Sequence, residues 1–144
     1  MKVLIFGNLA SGKSFLAEQI QMTMPIFEYL SIDDFRRRIG DGTMEKEKVA
    51  KQTFLNSIQP DKLQLIKATG LDDTGETIAD ILRQTEELKL IIILKIPLET
   101  CLERLKTRIW DTPYPAPPEQ AFRLAKITDE LISDNLIQML WADV

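Results

Sequence analysis

The chain has 144 residues, 44% of them hydrophobic, with 22 acidic and 18 basic side chains and a formal net charge of −4. That suits one domain with one core, leaves no apolar run of the roughly 18 residues a membrane span needs, and argues against non-specific binding along a nucleic acid. With one cysteine, Cys101, and no histidine, disulfide frameworks, thiolate zinc sites, His-ligated metals and imidazole catalysis are excluded. Chemistry falls to carboxylates, Lys, Arg, hydroxyls, backbone amides or a hard cation held by oxygen.

Lys2–Phe6 (KVLIF) reads as a short buried strand; its early start leaves no room for a signal peptide, so a small cytosolic domain is expected. After a glycine-bearing loop, Phe15, Leu16 and Ile20 at helical spacing place a helix over Ser14–Met22. Ile26–Ile32 (IFEYLSI) reads as a second strand, closed by Asp33 and Asp34. Ala50, Phe54 and Ile58 recur beside Val49 and give a helix over Glu45–Ile58, which Pro60 stops. Lys62–Ala68 (KLQLIKA) is a third strand, running into the turn-rich Thr69–Gly75. Ile78, Ile81, Leu82 and Thr85 mark a helix ended before Leu88. Leu88–Ile96 (LKLIIILKI) is the most apolar stretch and the best candidate for a central strand.

Leu98, Cys101, Leu102, Leu105 and Ile109 share one face of a helix that begins after Pro97, with Cys101 as plain core. Asp111–Pro118 holds four prolines in eight residues and reads as a loop. Ile127, Leu131, Ile132, Leu136, Met139 and Leu140 make the chain end as helix. The alternation of strand and helix asks for a parallel sheet with helices on both faces, an α/β fold.

Gly7, Asn8, Leu9, Ala10, Ser11, Gly12, Lys13 and Ser14 fit G-x-x-x-x-G-K-[ST], the loop that cradles phosphates. Its glycines let consecutive N–H groups approach phosphate oxygens, and the following helix adds its positive end. Lys13 is placed to reach the β- and γ-phosphates, and the Ser14 hydroxyl to sit on Mg²⁺. Asp33 and Asp34 end the second strand and so lie at the same sheet edge. A carboxylate there can accept a proton from an attacking hydroxyl or hold Mg²⁺ through water; it can equally be a helix cap ahead of a solvated basic turn. Arg36, first of the arginine triplet with Arg37 and Arg38, can point into the cleft. Arg104 and Arg108, four apart on one helix face, can close over a triphosphate or form a solvated face with Glu99 and Glu103. Trp110 and Tyr114 either stack on a base or cover the core.

GNLASGKS (7–14), SIDDFRRRIG (31–40) and ETCLERLKTRIWDTPYP (99–115), with ATG at 68–70, together resemble the small P-loop kinases of the adenylate-kinase-like group, above all the AAA-type kinases near polynucleotide kinase, zeta toxin and chloramphenicol phosphotransferase. The resemblance implies a single three-layer αβα domain over residues 1–144, a short parallel sheet of four strands in the order 2-3-1-4, and a small lid at about 104–118. It implies Asp33 as general base, Arg36 on the substrate or transferred phosphate, and Arg104 and Arg108 as lid arginines. The glycine loop also looks like that of deoxynucleoside kinases, but their acidic-arginine-serine motif after the third strand is missing. Lys67 stands where related kinases often carry an acidic residue that supports Mg²⁺; the lysine reads either as a surface residue on a distorted strand end or as a second phosphate contact, and Asp72 and Asp73 are candidate substitutes for the carboxylate. No fifth strand is legible after the lid, so an abbreviated adenine pocket is expected.

The expected activity is ATP- and Mg²⁺-dependent transfer of the γ-phosphate to a hydroxyl of a small-molecule or nucleotide-like acceptor. Asp33 takes the proton, Lys13, Arg104, Arg108 and Mg²⁺ neutralise charge, and Asp33, Asp34 and Arg36 hold the acceptor. Two alternatives are a nucleotide-binding regulatory module with impaired catalysis and a kinase for 5′-hydroxyl nucleic-acid ends. The acidic balance weakens the second.

Overall fold

In the computed structural model, residues 1–68, 76–85, 88–110, 112–113, 118–130 and 132 are described. Among them, four strands, β1 (Lys2–Gly7), β2 (Glu28–Ser31), β3 (Gln64–Ala68) and β4 (Lys89–Leu94), are interspersed with six helices, α1 (Lys13–Thr23), α2 (Ile32–Ile39), α3 (Met44–Asn56), α4 (Glu76–Gln84), α5 (Leu98–Lys106) and α6 (Pro118–Glu130). The strands are all parallel and lie in the expected order β2-β3-β1-β4. On β1, Leu4 and Phe6 face one way, packing with Ile66 against Phe35, Phe54 and Ile81; Val3 and Ile5 face the other, packing with Leu65 against Ala17 of α1. This period of two divides the apolar residues between two helical layers. A third cluster joins Leu9 of the glycine loop to Leu105 of α5 and to Leu124 and Ala125 of α6.

Several expectations shift. The second strand is only Glu28–Ser31, because α2 starts at Ile32. Asp33 and Asp34 in its first turn and Arg36–Arg38 in its last complement the helix dipole at both ends, which overrides the β-branched Ile32. The next helix starts at Met44, where the Thr43 side chain accepts a hydrogen bond from the Lys46 amide, and the third strand starts at Gln64.

The most apolar segment is not central: β4 pairs with β1 alone among the described residues, and Leu90 is half exposed. Apolarity cannot distinguish a central strand from an edge strand lying under helices. Phe15 is exposed, since the inward stripe of α1 runs through Leu16, Ala17 and Ile20. The helix after Pro97 stops at Lys106, leaving Ile109 in solvent. Cys101 is core as expected. No helix among the described residues is long and apolar enough to cross a membrane. The Thr69–Gly75 run, Asp72 and Asp73 within it, Tyr114, and the tail at Leu131, Leu136, Met139 and Leu140 lie outside the described residues.

Candidate active site

The carboxyl end of β1 runs straight into the glycine loop. Gly7 has no room for a side chain: a Cβ there would lie 2.7 Å from Ser11 Oγ and 3.1 Å from Leu94 Cβ. Ala10 and Gly12 take φ of 56° and 93°, the left-handed values that fold successive amides into an anion-binding concavity. Gly12 is the N-cap of α1, and no side chain caps that end, so its first amides remain available to an anion. Asn8 fixes the loop from behind: Oδ1 accepts from the Leu9 amide at 2.8 Å, and Nδ2 donates to the Ala125 carbonyl of α6 at 2.7 Å.

Between this loop, the start of α2 and the segment after α5 lies a cavity of about 410 Å³. Lys13, Arg36, Lys67, Arg104 and Arg108 line it together with Asp33, the single carboxylate there among the described residues. In a chain of net charge −4, so many cations in one place mark an anion site. Leu9, Trp110, Ala121 and Leu124 supply an apolar side.

Lys13 Nζ donates to the Asn8 carbonyl at 2.6 Å. Burial, helped by the Lys67 charge and opposed by Asp33, brings its pKa down to about 7. Lys67, buried at the end of β3, donates to Ser14 Oγ at 2.8 Å and reaches Asp33 Oδ2 at 3.5 Å. Asp33 Oδ1 accepts from Arg36 Nη1 at 2.9 Å. Burial alone would raise the Asp33 pKa, but Lys67 and Arg36 outweigh it and hold the carboxyl below its usual range.

The sequence did not reveal Glu47. Its carboxylate takes the other side of the Arg36 guanidinium, with Nε 3.0 Å from both oxygens and Nη2 2.6 Å from Oε1. This forked pair keeps Arg36 charged although it is 4% exposed. An arginine placed on an inward helix face demands such a partner, and the acidic first turn of α3, reached after the Gly40–Gly42 bend, was the available signal.

The structure brings Lys13, Ser14, Asp33, Arg36, Arg104 and Arg108 together. It does not bring Asp34, which pairs with Arg37 on the exposed side of α2. Arg104 donates to the Ala10 carbonyl at 3.0 Å. Arg108 does not share a helix face with it, since α5 has ended at Lys106; it reaches the cavity from the following turn, with its guanidinium 4.9 Å from the centre of the Trp110 ring. Trp110 therefore lines the cavity rather than capping the core.

The expectation of Mg²⁺ on Ser14 meets an ammonium there. The Ser14 hydroxyl accepts from Lys67, and Asp33 is shared between Lys67 and Arg36. Both oxygens that could hold a divalent ion are thus engaged by an ammonium, and the site in this arrangement does not fit Mg²⁺.

Solved structures with the same architecture include deoxyadenosine kinase from M. mycoides with bound dATP (17% identity, TM-score 0.58, covering 96% of this chain and 87% of that one). Shikimate kinase from Acinetobacter baumannii in complex with shikimate aligns at 19% identity and TM-score 0.61, over 92% of this chain and 78% of that one. A chain of the Pnkp1/Rnl/Hen1 RNA repair complex aligns at 23% identity and TM-score 0.64, over 90% of this chain and only 45% of that one. No family model matches the chain, and no curated protein does. At these identities the likeness is one of fold, and the fold is that of the P-loop kinases.

Proposed function

We propose that residues 1–144 form one P-loop kinase-like domain, with a lid at about 104–118, that moves the γ-phosphate of ATP to a hydroxyl of a small-molecule or nucleotide-like acceptor. One observation carries this reading: a single cavity holds the glycine loop with Lys13 and, facing it, one ionised carboxylate, Asp33, locked in place by Arg36. The loop amides and Lys13 hold the β- and γ-phosphates, and Arg104 and Arg108 meet the charge that builds on the transferred group. Asp33 receives the acceptor hydroxyl. Its lowered pKa makes it a weak base but keeps it charged, and a loose phosphoryl-transfer transition state needs the nucleophile oriented more than deprotonated early. Arg36, which binds Glu47 and Asp33, acts as a positioning residue for that carboxylate rather than as a ligand of the acceptor. Asp34 takes no part. Ser14 and Asp33, the groups placed to hold Mg²⁺, already bind the Lys67 ammonium. A cytoplasmic setting fits the buried free thiol of Cys101 and a need for ATP.

The test is transfer of label from γ-labelled ATP to an acceptor panel spanning a deoxynucleoside, shikimate and a 5′-hydroxyl oligonucleotide. Transfer to one of them, lost in Lys13→Ala and reduced at least about 100-fold in Asp33→Asn, supports the reading. Lys67 favours one second reading, a nucleotide-binding regulatory module with impaired catalysis, since it draws on Asp33, the only carboxylate in the cavity among the described residues. Label transfer abolished by Asp33→Asn with ATP binding retained would sink that alternative.

A further inference from the structure

We propose that the Lys67 ammonium takes the place of the divalent cation at this site, so that the chain binds its nucleoside triphosphate free of metal. This deepens the phosphotransferase reading and rests on it. β3 lies beside β1 with Ile5 opposite Lys67, which carries the lysine up to the foot of the glycine loop. There the side chain is buried and its Nζ bridges Ser14 Oγ at 2.8 Å and Asp33 Oδ2 at 3.5 Å. A hydroxyl at the start of α1 and a carboxylate at the start of α2 are the kind of oxygen pair that holds a hard cation against phosphates. In this chain a tethered cation occupies both. An ammonium has three donors, so with two engaged the third remains for a phosphate oxygen.

Electrostatics push the same way. An ion seated about 2.1 Å from Ser14 Oγ would stand beside the Lys67 charge in a poorly solvated pocket, with Asp33 already divided between Lys67 and Arg36. Among the described residues Glu47 offsets Arg36, which leaves Lys13, Lys67, Arg104 and Arg108 to face the ligand against Asp33. Such a surplus matches a bare triphosphate better than one whose charge a chelated Mg²⁺ has partly cancelled.

Calorimetric titration of ATP into the wild-type chain, once in EDTA and once in excess Mg²⁺, tests this directly, with Lys67→Met and Lys67→Asp run in both conditions. Binding in EDTA at least as tight as in Mg²⁺ supports the proposal. So does a loss of about tenfold or more of metal-free affinity in Lys67→Met, the scale of one charge-assisted hydrogen bond, with a Mg²⁺ requirement appearing in Lys67→Asp. Wild-type binding tenfold or more tighter with Mg²⁺ overturns it and leaves the phosphate cradle standing. No binding of ATP or GTP in either condition overturns both this proposal and the phosphotransferase reading. Should the buried substitutions fail to fold, the wild-type pair of titrations decides alone.

Discussion

Asp33 and Asp34 are neighbours on α2, and each accepts from the arginine three residues on at the same 2.9 Å. The side chains of Arg36 and Asp33 are 5% and 22% exposed; those of Arg37 and Asp34 are 46% and 49% exposed. One step along a helix turns a side chain by about 100°, enough to send one pair into the cavity and the other into water. Inside, the pair joins Glu47 and Lys67 in a network that sets the charge and position of the carboxylate. Outside, water and salt screen an interaction of identical length. Burial and the neighbours, rather than the contact distance, decide what each pair does.

The largest effect should come from Glu47→Ala. It strands half of the Arg36 guanidinium in a buried setting, and removing one partner of such a pair costs about 3 kcal/mol. The urea midpoint should fall with an unchanged slope. A loss below about 0.5 kcal/mol, the level of an exposed pair, would erase the distinction between the two faces of α2. Asp33→Ala should cost less, about 1–2 kcal/mol at pH 7, since Arg36 keeps Glu47 and Lys67 keeps Ser14. The pH dependence has a definite sign. The folded-state pKa of Asp33 lies below its ordinary 3.8, so its contribution is complete above that value and is lost as pH falls through the folded value. The gap between wild type and Asp33→Ala in urea midpoints should therefore narrow only in acid.

The inner half of this contrast was only partly legible in the sequence. G-x-x-x-x-G-K-[ST] is a local device whose residues adopt one geometry wherever strand and helix flank them, so Gly7–Ser14 could be placed outright. Asp33 and Arg36 followed because the order of strands and helices puts their segment at the same sheet edge. Glu47 was invisible because its contact joins two helices across a bend of unknown angle. Nothing in its local pattern separates it from the solvated Glu45. Lys67 stands out in the sequence as a departure, but its partners depend on the register of β3 against β1, which apolar residues on both faces of a buried strand leave open. The edge position of β4 was obscured for a related reason: hydrophobic content reports burial by helices as readily as burial between strands.

A smaller effect concerns the cavity's own lysine. With its pKa brought down to about 7, Lys13 is largely neutral at pH 8, whereas a bound triphosphate would hold it protonated. ATP binding at pH 8 should therefore take up a proton, seen as heats that differ between Tris and HEPES. Affinity should fall about fivefold between pH 7 and pH 8, if the bound lysine regains a pKa of about 9 or more. Folding stability without nucleotide should follow the opposite trend. A lysine whose folded pKa is depressed destabilises the fold while charged, so stability rises as pH passes upward through 7. Opposite slopes for folding and for binding separate Lys13 from any general effect of pH on the chain.

Asp34→Ala should do almost nothing, and that is its value. The carboxylate sits in the first turn of α2, where it favours the helix dipole, and it pairs with Arg37 in the open. Exposed pairs at this spacing contribute about 0.3–0.5 kcal/mol, and the dipole term is screened to a similar size. The urea midpoint should drop by no more than this in low salt and by less in 1 M NaCl, where the screening length is about 3 Å. ATP affinity and any acceptor KM should be unchanged, because Asp34 does not line the cavity. A rise in acceptor KM with intact stability would show that the outer carboxylate turns inward when the acceptor binds, and the two faces of α2 would then belong to one site.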